Sequence, residues 1–181
     1  MSEIRRIALS LLKPFAIIVI VAVLVWLLYS FIVGPIFFHK TEIVHVIDPD
    51  SLIVSDNGVI RTVQLIGVDA PETPGDTGIT QCYSRKARKK VINTYLSKSL
   101  TVTLIGDNAL GDKDIYGRLL RYVKLEDGTL LNELLLKDGL AKEFHMPGTS
   151  YQRLNDFTIL EATAKQNHLG LWDPSDCDGN F

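Results

Sequence analysis

Apolar positions are spread unevenly along the chain. From Phe15 to Phe38 no residue is charged, and the run reads FAIIVIVAVLVWLLYSFIVGPIFF. About 18–20 apolar residues suffice for a helix to cross a bilayer. The run therefore predicts one transmembrane helix over residues 15–38, bent or ended at Gly34-Pro35. Arg5, Arg6 and Lys13 precede it, and only Lys40 follows closely. This asymmetry places residues 1–14 in the cytoplasm and residues 39–181 outside it, as a single-pass protein of the cell membrane. The competing reading is secretion after cleavage of a signal peptide. Against it, the run exceeds the roughly 7–15 residues of a signal core, and no small-residue cleavage site follows. Both readings export the same domain.

Beyond residue 39 the pattern changes to short alternating runs. Thr41 to Val46 reads as a strand, interrupted by Asp48-Pro49-Asp50 and resumed from Leu52 to Ser55. Asp56-Asn57-Gly58 predicts a hairpin turn, with Val59 to Val68 as the return strand. A loop rich in Pro, Gly and Thr spans residues 69–81. Ser84 to Leu96 carries Ala87, Val91, Ile92 and Tyr95 at helical spacing. Leu100 to Ile105 and Arg118 to Leu125 read as further strands. Leu131 to Lys137 reads as a helix closed by Gly139. Ala141 to Phe144 can add a short strand, and Tyr151 to Asn167 a final helix. The order predicts an α+β domain: a five-stranded OB-fold β-barrel with three helices, preceded by the transmembrane helix.

Charge narrows the function. Residues 39–181 hold 16 basic and 20 acidic residues, a net of −4 with histidine neutral. That balance argues against coating nucleic acid by bulk charge, so any such function needs a focused site. Arg85, Lys86, Arg88, Lys89 and Lys90 form the one basic cluster. It either guides a nucleic-acid strand or is a solvated helix face. Cys82 and Cys177 both lie in the exported part, where an even count fits one disulfide; the alternative is two separate thiols. With four scattered histidines they are too few for a zinc site.

Asp50 lies between the first two strands and Asp69 at the end of the third. A meander can bring both to one end of a barrel, where hard oxygen ligands suit calcium. Glu72, in VDAPET, is placed to position or deprotonate a water. Arg118, in DIYGRLL, can bring a cation to a phosphate. An acidic loop residue is more often a solvated turn residue than a ligand. Only the combination points to metal-assisted phosphoester chemistry.

VIDPDS, LIGVDAPET, DIYGRLLRY, LLNELLLKDGLAK and NHLGLW, in that order, resemble the staphylococcal nuclease (thermonuclease) family over about residues 41–173. The resemblance implies an OB-fold and calcium-dependent cleavage of DNA and RNA. It implies Asp50 and Asp69 as calcium carboxylates and the backbone carbonyl of Ala70 as a further ligand. It implies Glu72 as general base on the attacking water, Arg118 as the phosphate contact and Tyr116 as a residue near the nucleotide. Gln64, in VQLIGVD, stands where the family carries a second catalytic arginine. Its amide has no charge, and losing one such donor can cost about 10²–10³-fold in rate. Arg61 is three residues earlier, an odd offset that points it to the opposite face of a strand. Two functions follow as expectations. One is a calcium-dependent extracytoplasmic nuclease, weakened at Gln64. The other is a catalytically impaired, membrane-tethered OB-fold module that binds nucleic acid or a protein. No small-molecule cofactor is expected.

Overall fold

The computed structural model describes residues 16–30, 41–74 and 80–181. The chain divides into two units, Met1–His39 and Lys40–Phe181. In the first, residues 16–28 are α-helical and run on into a π turn at 29–30. No polar side chain interrupts residues 16–28. Among the described residues, no helix is long and apolar enough to cross a membrane. Both ends of the expected span over 15–38 lie outside the described residues.

The second unit begins with β1 (Thr41–Asp48), β2 (Ser51–Asp56), β3 (Val59–Leu65) and β4 (Val68–Asp69). Helix α1 (Ser84–Lys90) runs on as a π turn over Val91–Tyr95 and is followed by β5 (Thr101–Ile105) and β6 (Leu119–Leu125). Then come α2 (Leu131–Lys137), β7 (Lys142–Glu143), α3 (Leu154–Gln166) and a 3-10 turn over Gly170–Trp172. Among the described residues, five strands close the expected barrel in the order β1-β2-β3-β6-β5, with β5 paired back on β1. The β3–β6 contact is parallel and the others are antiparallel.

Local chemistry explains the hairpin. Asn57 (φ 49°) and Gly58 (φ 80°) are both left-handed, and Asp56 pairs with Val59. Such a two-residue primed turn matches the twist of the flanking strands. Alternation then turns Leu52, Val54, Val63 and Leu65 into the core, where each is essentially inaccessible. Helix α2 ends in a Schellman motif at Gly139 (φ 65°). The Gly139 N–H donates to the Leu136 carbonyl (3.1 Å) and the Leu140 N–H to the Leu135 carbonyl (2.7 Å).

The structure departs from the sequence expectation in two places. The return strand ends at Leu65, not Val68. Ile66-Gly67 turns the chain, and β4 leaves the barrel to pair with β7 in a separate two-stranded sheet. Gly67 (φ 74°) passes so close to α3 and the residues before it that a Cβ would lie 2.6 Å from the Tyr151 ring. Buried Asn132 of α2 holds this turn: its amide donates to the Ile66 carbonyl (2.9 Å) and accepts from the Val123 N–H (3.0 Å). The helical count of the second unit is also four among the described residues, not three. The extra element, Gly170–Trp172, forms because buried Leu171 donates its N–H to the Gly139 carbonyl (2.8 Å). Three residues carry no periodicity by which to predict it. Cys82 and Cys177 are joined in a disulfide across 95 residues of sequence.

Candidate active site

The chain turns between β1 and β2 on Asp48-Pro49-Asp50. Both carboxylates are buried, Asp48 at 6% and Asp50 at 4% exposure. Asp50 is anchored three ways. Its carbonyl accepts the Leu65 N–H (2.8 Å), its carboxylate accepts the Ala70 N–H (3.0 Å), and the Gln64 side chain hydrogen-bonds the same carboxylate. Burial still pushes Asp50 up to about 7, helped by repulsion from Asp69 and Asp48 and opposed by the Ala70 and Gln64 bonds.

The Ile66-Gly67 turn delivers Asp69 to this end of the barrel. It is half-buried, and burial raises it against the attraction of Lys142, its partner in the β4–β7 ladder. Glu72 follows in the loop. Partial burial, a hydrogen bond with Asp48, and repulsion from Asp48, Asp50 and Asp69 push it up to about 7. Asp48 is thus a member that the sequence reading did not single out. Its carboxylate accepts the Thr73 N–H (2.7 Å) and hydroxyl (2.5 Å), tying the loop to the end of β1. The available signal was the Asp-Pro-Asp spacing in VIDPDS.

Arg118 enters from the start of β6. Its Nε donates to Asp114 (2.6 Å) and its Nη1 to Gln64 Oε1 (2.5 Å). Asp114 also accepts the N–H groups of Tyr116 and Arg118, both at 2.9 Å, which shapes the turn through Gly117. Gln64 therefore bridges Arg118 on one side and Asp50 on the other. Tyr116 stands on the rim, 78% exposed, with its ring 5.5 Å from the Arg118 guanidinium carbon. Arg61 lies near the hairpin end, opposite Val54, and is exposed.

Hydrogen bonds and short-range electrostatics together link Asp50, Ala70, Glu72, Gln64 and Arg118, with Asp69 joined by its repulsion of Asp50 and Glu72 and Tyr116 beside Arg118. Ala70 takes part through its N–H, and its side chain is fully buried. Among the described residues, no three His, Cys, Asp or Glu side chains make a ready-formed metal cluster. The donor chemistry nonetheless fits a hard divalent cation: the ligand atoms are carboxylate oxygens whose mutual repulsion a cation would relieve. The basic cluster is largely structural. Lys86 pairs with Asp176 (2.5 Å), Lys90 pairs with Asp138 (2.7 Å), and Arg88 donates to the Val46 carbonyl (2.8 Å). Arg85 and Lys89 are exposed.

Fold and site together define an OB-type barrel with an acidic, arginine-flanked site at one end. The family profile described as "Staphylococcal nuclease homologue" matches residues 62–174. Endonuclease YncB of Bacillus subtilis (strain 168) is 39% identical over 132 residues, which cover 71% of this chain and 59% of the relative. A thermonuclease of Staphylococcus intermedius is 33% identical over 170 residues, covering 87% of this chain and 95% of the relative. An uncharacterized endonuclease of Escherichia coli is 28% identical over 135 residues, covering 75% and 78%. The chain belongs to the staphylococcal nuclease family.

Proposed function

We propose that this protein is a calcium-dependent nuclease that hydrolyses phosphodiester bonds in DNA, RNA or both. We further propose that residues 15–38 anchor it in the membrane and that residues 39–181 work outside the cytoplasm. The names of the relatives support the nuclease reading. The observation that carries it is the concentration of Asp48, Asp50, Asp69 and Glu72 at one end of the barrel, beside an oriented Arg118. Burial and neighbouring carboxylates make the charges of Asp50 and Glu72 costly, and a cation is the species that relieves such a cost.

Asp50, Asp69 and the Ala70 carbonyl are the groups that would hold calcium. When bound, the ion supplies charge stabilisation to the phosphate oxygens. The chain's own residues do the rest. Glu72, beside the carboxylates that would hold the ion, is placed to take a proton from the attacking water. Arg118 is held at Nε and Nη1, which leaves Nη2 to meet a phosphate oxygen. Gln64 orients Arg118 and Asp50 together but adds no charge. That favours a slow enzyme, and it is also the observation behind the second reading, a tethered binding module. Export is supported by the disulfide and by the uninterrupted apolar run.

The test is cleavage of single-stranded DNA and RNA by the full chain in detergent, with calcium and with chelator. Calcium-dependent cleavage that falls at least 100-fold in Glu72→Gln is the expected result, about the size of one catalytic proton transfer. No cleavage by the parent or by Gln64→Arg, with calcium-dependent binding intact, would move the assignment to the binding module. A C-terminal tag found in the cytoplasm would sink the orientation.

A further inference from the structure

The nuclease reading gives Glu72 its chemistry but does not explain what holds it in place. Glu72 lies on a loop beyond β4, outside any helix or strand. One tether is Thr73, bound to Asp48 and, through its hydroxyl, to the Ile47 carbonyl (2.9 Å). The other is Gln81. Its Oε1 accepts the Glu72 N–H (2.5 Å), and its own N–H donates to the Glu72 carbonyl (3.2 Å). Gln81 thus clasps the Glu72 backbone, with its side-chain oxygen on the N–H and its own N–H on the carbonyl, across nine positions of sequence.

A hydrogen bond fixes a loop only if its partner is itself fixed. Gln81 precedes Cys82, which is bonded to Cys177. The tail around Cys177 is stiff: the Asp173 carbonyl accepts N–H groups from Asp176 (3.0 Å), Cys177 (3.2 Å) and Asp178 (3.1 Å). Lys86 of α1 adds an ion pair to Asp176, a second tie between the same two segments. The tail is seated in turn by Trp172, over which Lys165 lies at 4.4 Å. A continuous path therefore runs from α3 through the tail and the disulfide to Gln81 and Glu72.

We infer that Gln81 is a positioning residue for Glu72 and that the Cys82–Cys177 disulfide is its support. The inference rests on the reading of Glu72 as general base. The bridge lowers the number of open states available to residues 80–83, so the hydrogen bonds to the Glu72 backbone stay formed. A dithiol reductant reverses this. Its thiolate attacks one sulfur, the protein S–S bond breaks, and the reductant leaves as its own disulfide while both protein sulfurs end as thiols. Reduction of the folded protein then slackens Glu72 without touching a catalytic group.

The test compares the full chain with Gln81→Ala, Gln81→Glu, the Cys82→Ser/Cys177→Ser pair, and the parent reduced while folded. Each is followed by kcat and KM at saturating calcium and by hydrogen exchange at the Glu72 amide. Gln81→Ala should lower kcat about tenfold with KM within about twofold, the pattern of a misplaced catalytic group. It should also speed exchange at Glu72. Gln81→Glu keeps an acceptor oxygen and should restore both. Loss of the bridge should reproduce the Gln81→Ala effect and add less than about twofold when combined with it. Reduction of the parent reads the same point if the serine pair fails to fold. Unchanged kcat and exchange in Gln81→Ala would overturn the positioning role. Full additivity with bridge loss would overturn the coupling. A parent that does not cleave at all would defeat the nuclease reading, and Glu72 exchange alone would then decide the clasp.

Discussion

At one end of the β1–β3 meander, Asn57 and Gly58 turn the chain, and the Thr41 hydroxyl donates to Asp56 (3.0 Å). At the other end, buried Asp48 and Asp50 turn it, and burial together with repulsion from Asp69 and Asp48 penalises the Asp50 charge. The first turn satisfies its local requirements, with residue types suited to the backbone they adopt. The second conflicts with them, because buried charge without a cation is costly. The same strands carry both, so the hairpin end supplies order and the Asp50 end spends some of it on a site. Local conflict of this kind is expected where function, not stability, selects the residue.

Asp50→Asn should have the largest effect. The amide keeps an oxygen for the Ala70 N–H but removes the charge. Nuclease activity should fall by about 10³-fold or more, as for loss of a metal ligand and its charge. Calcium-free thermal stability at pH 8 should rise. A lower melting temperature in chelator would refute the idea that Asp50 is a stability cost.

A pH series sharpens the same contrast. Asp50 sits at about 7 when folded, against 3.8 for the free side chain. Between those values the folded state binds more protons than the unfolded state, so stability must fall as pH rises. The contribution is fully present below about pH 4 and lost as pH climbs through 7. Glu72 and Asp69 are raised in the same direction, with smaller weight because they are more exposed. The melting temperature in chelator should therefore drop by roughly 5 °C or more from pH 5 to pH 8. Added calcium should recover most of the difference. A flat calcium-free profile would contradict the electrostatic account.

The smallest effect belongs to the other end. Gly58→Ala forces a Cβ into φ 80° with nothing within 4 Å to clash. Only backbone strain remains, about 1 kcal/mol in a urea melt, and cleavage should be unchanged. Lost activity there would mean the two ends are coupled.

Much of this was legible in the residues themselves. The Asp56-Asn57-Gly58 turn, the limits of α2 and its Gly139 cap each follow from a few adjacent positions whose backbone chemistry is local. So do the apolar run before residue 39 and the two cysteines. The motifs around Asp50, Asp69, Glu72 and Arg118 carried the family resemblance. What they could not carry was the wiring. Asp48 reads as one more turn residue until its carboxylate is seen to hold Thr73 and meet Glu72. Gln64 reads as a lost charge until its amide is seen to join Arg118 to Asp50.

The residues alone specified the periods of the main strands and helices, the Asn57-Gly58 turn and the charge at the Asp48-Pro49-Asp50 turn, but not the turn at Ile66-Gly67. Asp69 leaves the barrel on β4, buried Asn132 pins the turn sending it there, and Gln81 clasps Glu72 because of the folded arrangement. Those outcomes depend on contacts between residues far apart in the chain. Their energies arise from burial and hydrogen-bond geometry, which exist only once the barrel has closed.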